Sequence, residues 1–249
     1  MDNRTVRAIT NNAQISALVF SDFLKTIDTP QKFQKYFHLR PTSNGITIVS
    51  TLPDAPMRGI SAKNADDLIV KLKSIHNTLA KLLSDDNEQV LETLKDLGFK
   101  KRGRKSLLEE DAQAAFIRGM IANESAYQGI QFVASELNLE DKNRFDIVGY
   151  RPDNNTLYLF ELKKGRTTAA VNQAARYCTH VAEHKEVFEK LLSAYPNRSV
   201  GSFSEIKGIA VMEYAENSKD STWNTNANQS GIEIWMYCNA LSFPKRYPQ

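Results

Sequence analysis

The chain has 249 residues, 41% of them hydrophobic and 24% charged, with a formal net charge of +3. Those proportions belong to ordinary globular proteins and exclude a largely disordered chain. No apolar run reaches the ~20 residues that span a bilayer, and the opening stretch MDNRTVRAIT lacks the apolar core of a secretory signal. The expected setting is therefore cytoplasmic, with no membrane partner. Cys178 and Cys238 each stand in an apolar or aromatic stretch, without the close pairing of a zinc or redox motif, and read as buried thiols.

The first part of the chain reads as mostly helical. Ile15 to Leu24 carries a helical pattern, and Ile46 to Val49 forms a strand opened by the turn at Asn44-Gly45. Leu68, Ile69, Leu72, Ile75, Leu79 and Leu82 recur at three- and four-residue steps, one stripe of a helix over about Asn64 to Leu83. A shorter helix over Asn87 to Leu97 follows, stopped by Gly98. Nothing in residues 1 to 98 suggests a chemical site. The charge is uneven: residues 1 to 105 hold 17 Lys/Arg against 11 Asp/Glu, whereas residues 106 to 249 hold 15 against 18. Much of the first excess is one tract, Lys100, Lys101, Arg102, Arg104 and Lys105, broken by Gly103. A boundary is placed there, between a mostly helical N-terminal region with a basic linker over 1–105 and a second domain over 106–249.

Downstream the order becomes helix, three strands, helix and strand, an α/β (α+β) arrangement around a small sheet. A helix from about Leu107 puts Ala112, Ala115, Phe116 and Met120 on its apolar side. Strands over Ile130 to Leu137, Arg144 to Tyr150 and Thr156 to Lys163 follow, the last two joined through RPDNN as an antiparallel hairpin. A long helix from Thr168 to about Ala194 comes next. Strands over Ile206 to Tyr214 and Ile232 to Cys238 then flank AENSKDSTWNTNANQS, which reads as a surface loop because it offers almost no apolar material.

Chemistry concentrates on the hairpin. Successive strand side chains alternate between faces, so Glu161 and Lys163 share a side with Leu157 and Leu159. An acid and an amine at the end of an apolar strand are costly unless paired, metal-bound or exposed in a cleft. Asp146 interrupts the preceding strand, where Arg144, Asp146 and Val148 alternate with Phe145, Ile147 and Gly149. Fourteen residues separate it from Glu161, a spacing that lets one hairpin bring both carboxylates to the same sheet edge. Two adjacent carboxylates repel, and a divalent cation supplies the charge that keeps both ionised.

The run Asp146-x14-Glu161-x-Lys163, with Glu109 and Glu110 on the helix before it and Gln173 on the helix after it, resembles the PD-(D/E)XK nuclease superfamily. Within that superfamily RFDIVGY, LYLFELKKG and NQAARY look most like prokaryotic DNA endonucleases of the NucS type and Holliday-junction resolvases. The resemblance spans roughly Leu107 to His180. It implies a restriction-endonuclease-like αβββαβ core, Mg²⁺ with Mn²⁺ as the alternative, and hydrolysis of DNA phosphodiesters. By the same resemblance Asp146 and Glu161 are metal ligands and Lys163 is the catalytic lysine. The upstream helix contributes a glutamate as a further ligand. Glu109 is favoured over Glu110, because Ala112, Gln113 and Phe116 then fall at the expected steps. Gln173 would reach the metal's water or the scissile phosphate with Tyr177, four residues on, in support. Lys164, Arg166 and Tyr177 join the tract from Lys100 to Lys105 as expected nucleic-acid contacts. Asn143-Arg144-Phe145-Asp146 departs from the relatives' Gly-Arg-Ile/Val-Asp, which leaves the local turn geometry open.

The expected function is a metal-dependent DNA endonuclease of prokaryotic repair, restriction or phage defence, with a homodimer as the simplest means of cutting both strands. The alternative is a non-cleaving nucleic-acid-binding or regulatory module that keeps the fold. Taken alone, Glu-x-Lys is a common pattern of solvated edge strands, and it is the surrounding Asp146, acidic helix and Gln173 that raise it. Glu136 reads equally as a structural residue or a further ligand. His180 and His184 lack both the order and the third ligand of a helical zinc site. Trp223 either stacks on a base or anchors its loop.

Overall fold

The computed structural model describes residues 2–52, 59–82, 94–99, 109–138, 144–165, 167–213, 222–237 and 245–246, and its fold is α+β. Helix α1 spans Asn3–Leu24, starting well before the expected Ile15, because the Asp2 carboxylate accepts from the Arg4 and Thr5 amides and supplies the N-cap that a polar first turn needs. Helix α2 (Pro30–Tyr36) opens on its proline. Strands β1 (Phe37–Thr42), β2 (Gly45–Ser50) and β3 (Ile60–Ala62) form an antiparallel sheet in that order. At the β1–β2 turn Gly45 has φ +140°, and a Cβ there would lie 2.8 Å from the Ala62 carbonyl oxygen, so only glycine fits. Neither β1 nor β3 is expected from the sequence: FHLRPT mixes two basic groups and a proline, yet all but its last residue are buried. Helix α3 (Ala65–Leu82) follows the expected stripe, with Leu68, Leu72, Ile75 and Leu79 buried. Most of the helix expected over Asn87–Leu97 lies outside the described residues, although Leu94 is packed in this N-terminal core.

The larger sheet carries helix α4 (Glu109–Ile121), strands β4 (Gln131–Asn138), β5 (Arg144–Arg151) and β6 (Thr156–Lys163), helices α5 (Thr168–Glu183) and α6 (Lys185–Ser193), strand β7 (Glu205–Glu213), helix α7 (Thr222–Ser230) and strands β8 (Glu233–Tyr237) and β9 (Lys245–Arg246). Its order is β4-β5-β6-β7-β8-β9. The first three strands are antiparallel neighbours, β6, β7 and β8 run parallel, and β9 pairs antiparallel with β8. Strand alternation decides the two faces. Tyr158, Phe160 and Leu162 pack with Phe116, Ile117 and Met120 of α4. Leu157 and Leu159 pack on the opposite face with Tyr177 and Val181 of α5 and Phe188 and Leu191 of α6.

Two expectations here need correction. The single helix over Thr168–Ala194 is broken at His184, whose φ −124° and ψ 31° are not helical, so α6 redirects and buries Phe188, Leu191 and Leu192. The polar stretch read as a loop contains α7, which has a weak apolar pattern but buries Ala227 in a cluster with Ala170, Ala174 and Val171 of α5 and Ala210 and Met212 of β7. Among the described residues no helix is long and apolar enough to cross a membrane.

The N-terminal sheet meets the large sheet along the edges of β1 and β4. A bulge at Val133 interrupts the β4–β5 register, and Asn197 spans the gap. Its Nδ2 donates to the Leu39 and Val133 carbonyls at 2.9 and 3.1 Å, while its Oδ1 accepts from the Leu39 amide at 3.0 Å. Beside it Arg40 Nη1 meets Glu136 Oε2 at 2.6 Å and His38 Nε2 lies 2.8 Å from Ser135 Oγ. Glu136 has φ +45°, an uncommon conformation for a residue with a side chain. Ile9 and Ala13 of α1 also enter the core beneath α6, and Arg118 donates to the Thr51 carbonyl.

Candidate active site

The site forms where the β5–β6 hairpin opens. The last registered pair of that ladder is Ile147 with Phe160. One step further, where Asp146 would face Glu161, the Asp146 carboxylate takes the place of a backbone acceptor: its Oδ2 accepts from the Leu162 amide at 2.8 Å. Strand β5 loses its strict alternation at this step. Ile147 packs toward α4 as expected, but Phe145 packs on the α5 side with its ring 4.5 Å from that of Tyr177. The Arg144 and Asp146 carbonyls, exposed by the departure from the ladder, are satisfied by side chains. Tyr177 Oη donates to the Arg144 carbonyl at 2.5 Å and Gln113 Nε2 to that of Asp146 at 2.6 Å.

Glu161 is fully buried, and Lys163 projects from the same strand face with its Nζ 2.6 Å from Glu161 Oε1. That contact is ionic; neither Glu161 oxygen has an aligned hydrogen-bond donor. Burial first, and the neighbouring Asp146 second, push the Glu161 carboxyl up to about 7, against the opposing pull of Lys163 and Tyr177. Burial likewise raises Asp146, although the Leu162 amide, Lys163 and Arg144 oppose it. For Lys163, burial acts to lower the pKa, but Glu161, Asp146 and Glu109 together outweigh it and hold the ammonium above its ordinary value. Lys163 is therefore a cation at neutral pH.

The two candidate helix glutamates separate. Glu109 Oε1 accepts from the Lys164 amide at 2.9 Å, which ties the start of α4 to the end of β6, and its charge acts on both Asp146 and Lys163. The charge of Glu110 acts instead on Arg40 at the junction of the sheets. Gln173 donates to Tyr177 Oη at 2.5 Å and so fixes the hydroxyl that holds Arg144. Tyr177 itself is fully buried and presents no surface to a polyanion, contrary to its expected role as a nucleic-acid contact. Lys164 is exposed beside the site. Lys100, Lys101, Arg102, Arg104, Lys105, Arg166 and Cys238 lie outside the described residues, as does the Trp223 side chain. Cys178 is half-buried, and burial pushes its thiol up to about 11. Glu136 is engaged by Arg40, and the His180 and His184 rings pack edge to face with centroids 4.9 Å apart.

Gln113 and Arg40 are absent from the candidates drawn from the sequence. Gln113 had a readable signal, an amide among the alanines of the apolar face of α4, now seen to be buried. Arg40 had none, because only the tertiary fold brings β1 to β4.

Among the described residues no three His, Cys, Asp or Glu side chains converge closely enough to form a preformed metal cage. The donor set still suits a hard divalent cation. Glu161 offers two buried oxygens without aligned donors, and Asp146 has one carboxylate oxygen committed to Leu162. Burial raises both carboxyls, so their ionised forms carry a cost that the Lys163 ammonium offsets only in part.

No protein-family model matches the chain, and no curated protein matches it. Among solved structures it is similar to an EndoMS-dsDNA2 complex, with 17% identity, 56% of this chain and 50% of that chain covered, and a TM-score of 0.36. The match thus spans about half the length of that protein.

Proposed function

We propose that the chain is a divalent-metal-dependent DNA endonuclease of the PD-(D/E)XK type. The observation that carries this reading is the buried Glu161 carboxylate at the open end of the hairpin, with Asp146 and Lys163 beside it and no aligned donor on either of its oxygens. Asp146 and Glu161 would hold Mg²⁺ or Mn²⁺, with Glu109 at the rim. Such a cation supplies the positive charge and Lewis acidity that phosphodiester hydrolysis requires. The Lys163 ammonium, a donor and not a base at neutral pH, would stabilise the charge that builds on the phosphate oxygens as water attacks phosphorus and the P–O ester bond breaks. Gln113, Tyr177 and Gln173 position Asp146 through the main chain on either side of it. Lys164, Arg166 and the tract from Lys100 to Lys105 would meet the DNA backbone, whose charge the carboxylates alone would repel.

A second reading, a nucleic-acid-binding module without cleavage, has one observation in its favour: Lys163 already pairs with Glu161, and among the described residues no third acid closes around the two carboxylates. A cleavage screen separates the two. Single-stranded, duplex and branched DNA, with RNA as control, are incubated with Mg²⁺, Mn²⁺ or chelator. Metal-dependent nicking that disappears in Asp146→Ala and Lys163→Ala supports the nuclease. Salt-sensitive binding with no cleavage of any DNA form supports the binding module. Sedimentation of the active species tests the homodimer that double-strand cutting would favour.

A further inference from the structure

An exposed cation stands at the rim of the carboxylate site with no acid of its own. Arg144 opens β5 two residues before Asp146, about 7 Å along the strand. Its side chain is exposed, and among the described residues it makes no ion pair and no hydrogen bond. Its charge acts on both the Asp146 carboxyl and the Arg40 guanidinium, which puts it within range of each.

The acids around it are held by other groups. The β4–β5 register, Ser135 with Ile147 and Leu137 with Phe145, sets Glu136 across from Asp146, but the Glu136 carboxylate is taken by Arg40 at 2.6 Å. Glu161 meets Lys163 at 2.6 Å, Glu109 accepts from the Lys164 amide at 2.9 Å, and Asp146 Oδ2 accepts from the Leu162 amide. Arg40, a like charge, adds to the local demand for an anion.

The main chain beneath Arg144 is fixed while its guanidinium is not. Tyr177 Oη donates to the Arg144 carbonyl at 2.5 Å, Gln173 holds that hydroxyl, and the Phe145 ring packs 4.5 Å from that of Tyr177. An anchored backbone limits where the exposed head can go and lowers the entropy lost when it meets a ligand. With Lys164 exposed just past β6, each strand of the hairpin carries one exposed cation beside the carboxylates. A planar guanidinium also matches the paired oxygens of a phosphate better than an ammonium does.

We propose that Arg144 binds the phosphate next to the scissile one, so that the site takes an internal phosphodiester of a continuing DNA strand in preference to an isolated diester. The place of the scissile phosphate rests on the nuclease reading; the phosphate contact itself is read from binding alone.

The test titrates the full chain against fluorescent DNA in Ca²⁺ over a series of salt concentrations, using whichever of the single-stranded, duplex and branched forms binds most tightly. Arg144→Ala should weaken binding about tenfold at about 50 mM salt and reduce the slope of log K against log salt by about 0.7–0.9, the release expected for one phosphate contact. Arg144→Lys, which keeps the charge, should restore the slope. The Tyr177 bond is to the main chain, so Arg144→Ala leaves it in place. A strand scanned with single neutral methylphosphonates should contain one linkage, beside the cut, at which wild type and Arg144→Ala bind alike.

Cleavage by a chain whose affinity and slope are unchanged in Arg144→Ala overturns the contact and leaves the nuclease standing. Arg144-dependent binding with no cleavage of any DNA form does the opposite. Equal losses in Arg144→Ala and in Arg7→Ala, an exposed arginine of α1, would mean a charge effect without a site and overturn the proposal. So would weakened Mg²⁺ binding with unaltered DNA binding, which would make Arg144 a support of Asp146, and so would a wild-type chain that binds no DNA.

Discussion

Among the described residues two clusters of buried charge are built in opposite ways. At the junction of the sheets the Glu136 carboxylate meets the buried Arg40 guanidinium at 2.6 Å, and the same guanidinium lies against Ser135. At the mouth of the hairpin Glu161 and Asp146 share one ammonium, and the Glu161 oxygens lack aligned donors. The second cluster holds two carboxyls raised by burial, with Asp146 adding to the rise of Glu161 and Glu109 to that of Asp146. A buried charge satisfied by its partner holds elements together. A buried charge left short of partners is a standing cost that a bound cation can relieve.

The sharpest way to break this contrast is through activity. Asp146→Ala and Lys163→Ala should lower metal-dependent cleavage by about 10³- to 10⁴-fold in single-turnover assays while leaving the fold intact; a loss below tenfold in both would remove the site from the chemistry. Glu136→Ala should do the reverse. Leaving Arg40 buried without its partner should cost roughly 3–5 kcal/mol in urea denaturation, whereas replacing both members of the pair by apolar residues should cost far less.

The third effect is a pH dependence. The folded-state pKa of Glu161, about 7, exceeds its ordinary value of 4.5. Its contribution to stability is therefore full below about pH 4.5 and is lost as the pH rises through about 7. Glu161→Gln, which cannot ionise, should thus stabilise the metal-free protein more at pH 8 than at pH 5, by on the order of 3 kcal/mol. Equal melting shifts at the two pH values would contradict an ionised, unrelieved carboxylate. Tyr177→Phe should give a smaller change, about 1–2 kcal/mol, from the lost hydrogen bond to the Arg144 carbonyl. Gln173→Ala, which leaves the tyrosine hydroxyl in place, should cost less in the same denaturation assay.

Strongly periodic segments were readable without coordinates. The stripe of α3, the limits of β6, the hairpin at RPDNN and the shared face of Glu161 and Lys163 follow from side-chain alternation and turn chemistry, both local properties of the chain. Local signals failed where packing used weak or misleading residues. Strand β1 hides Arg40 and Pro41 in a buried edge, α7 buries Ala227 within a polar sequence, and the break at His184 leaves the apolar residues of α6 in helical spacing.

What the amino-acid sequence determined by itself is the set of groups able to do chemistry and, through strand period and hairpin length, that Asp146, Glu161 and Lys163 end on one edge. Only the tertiary structure placed Glu109 at the Lys164 amide and turned the charge of Glu110 toward Arg40, withdrew Tyr177 from the surface, and set Arg40 against Glu136. The physical reason is range. Alternation and turns act over a few residues, whereas burial, ion pairing and the pKa of a carboxylate depend on atoms that come from segments up to about a hundred residues away, as Arg40 and Glu136 do with 96 positions between their numbers.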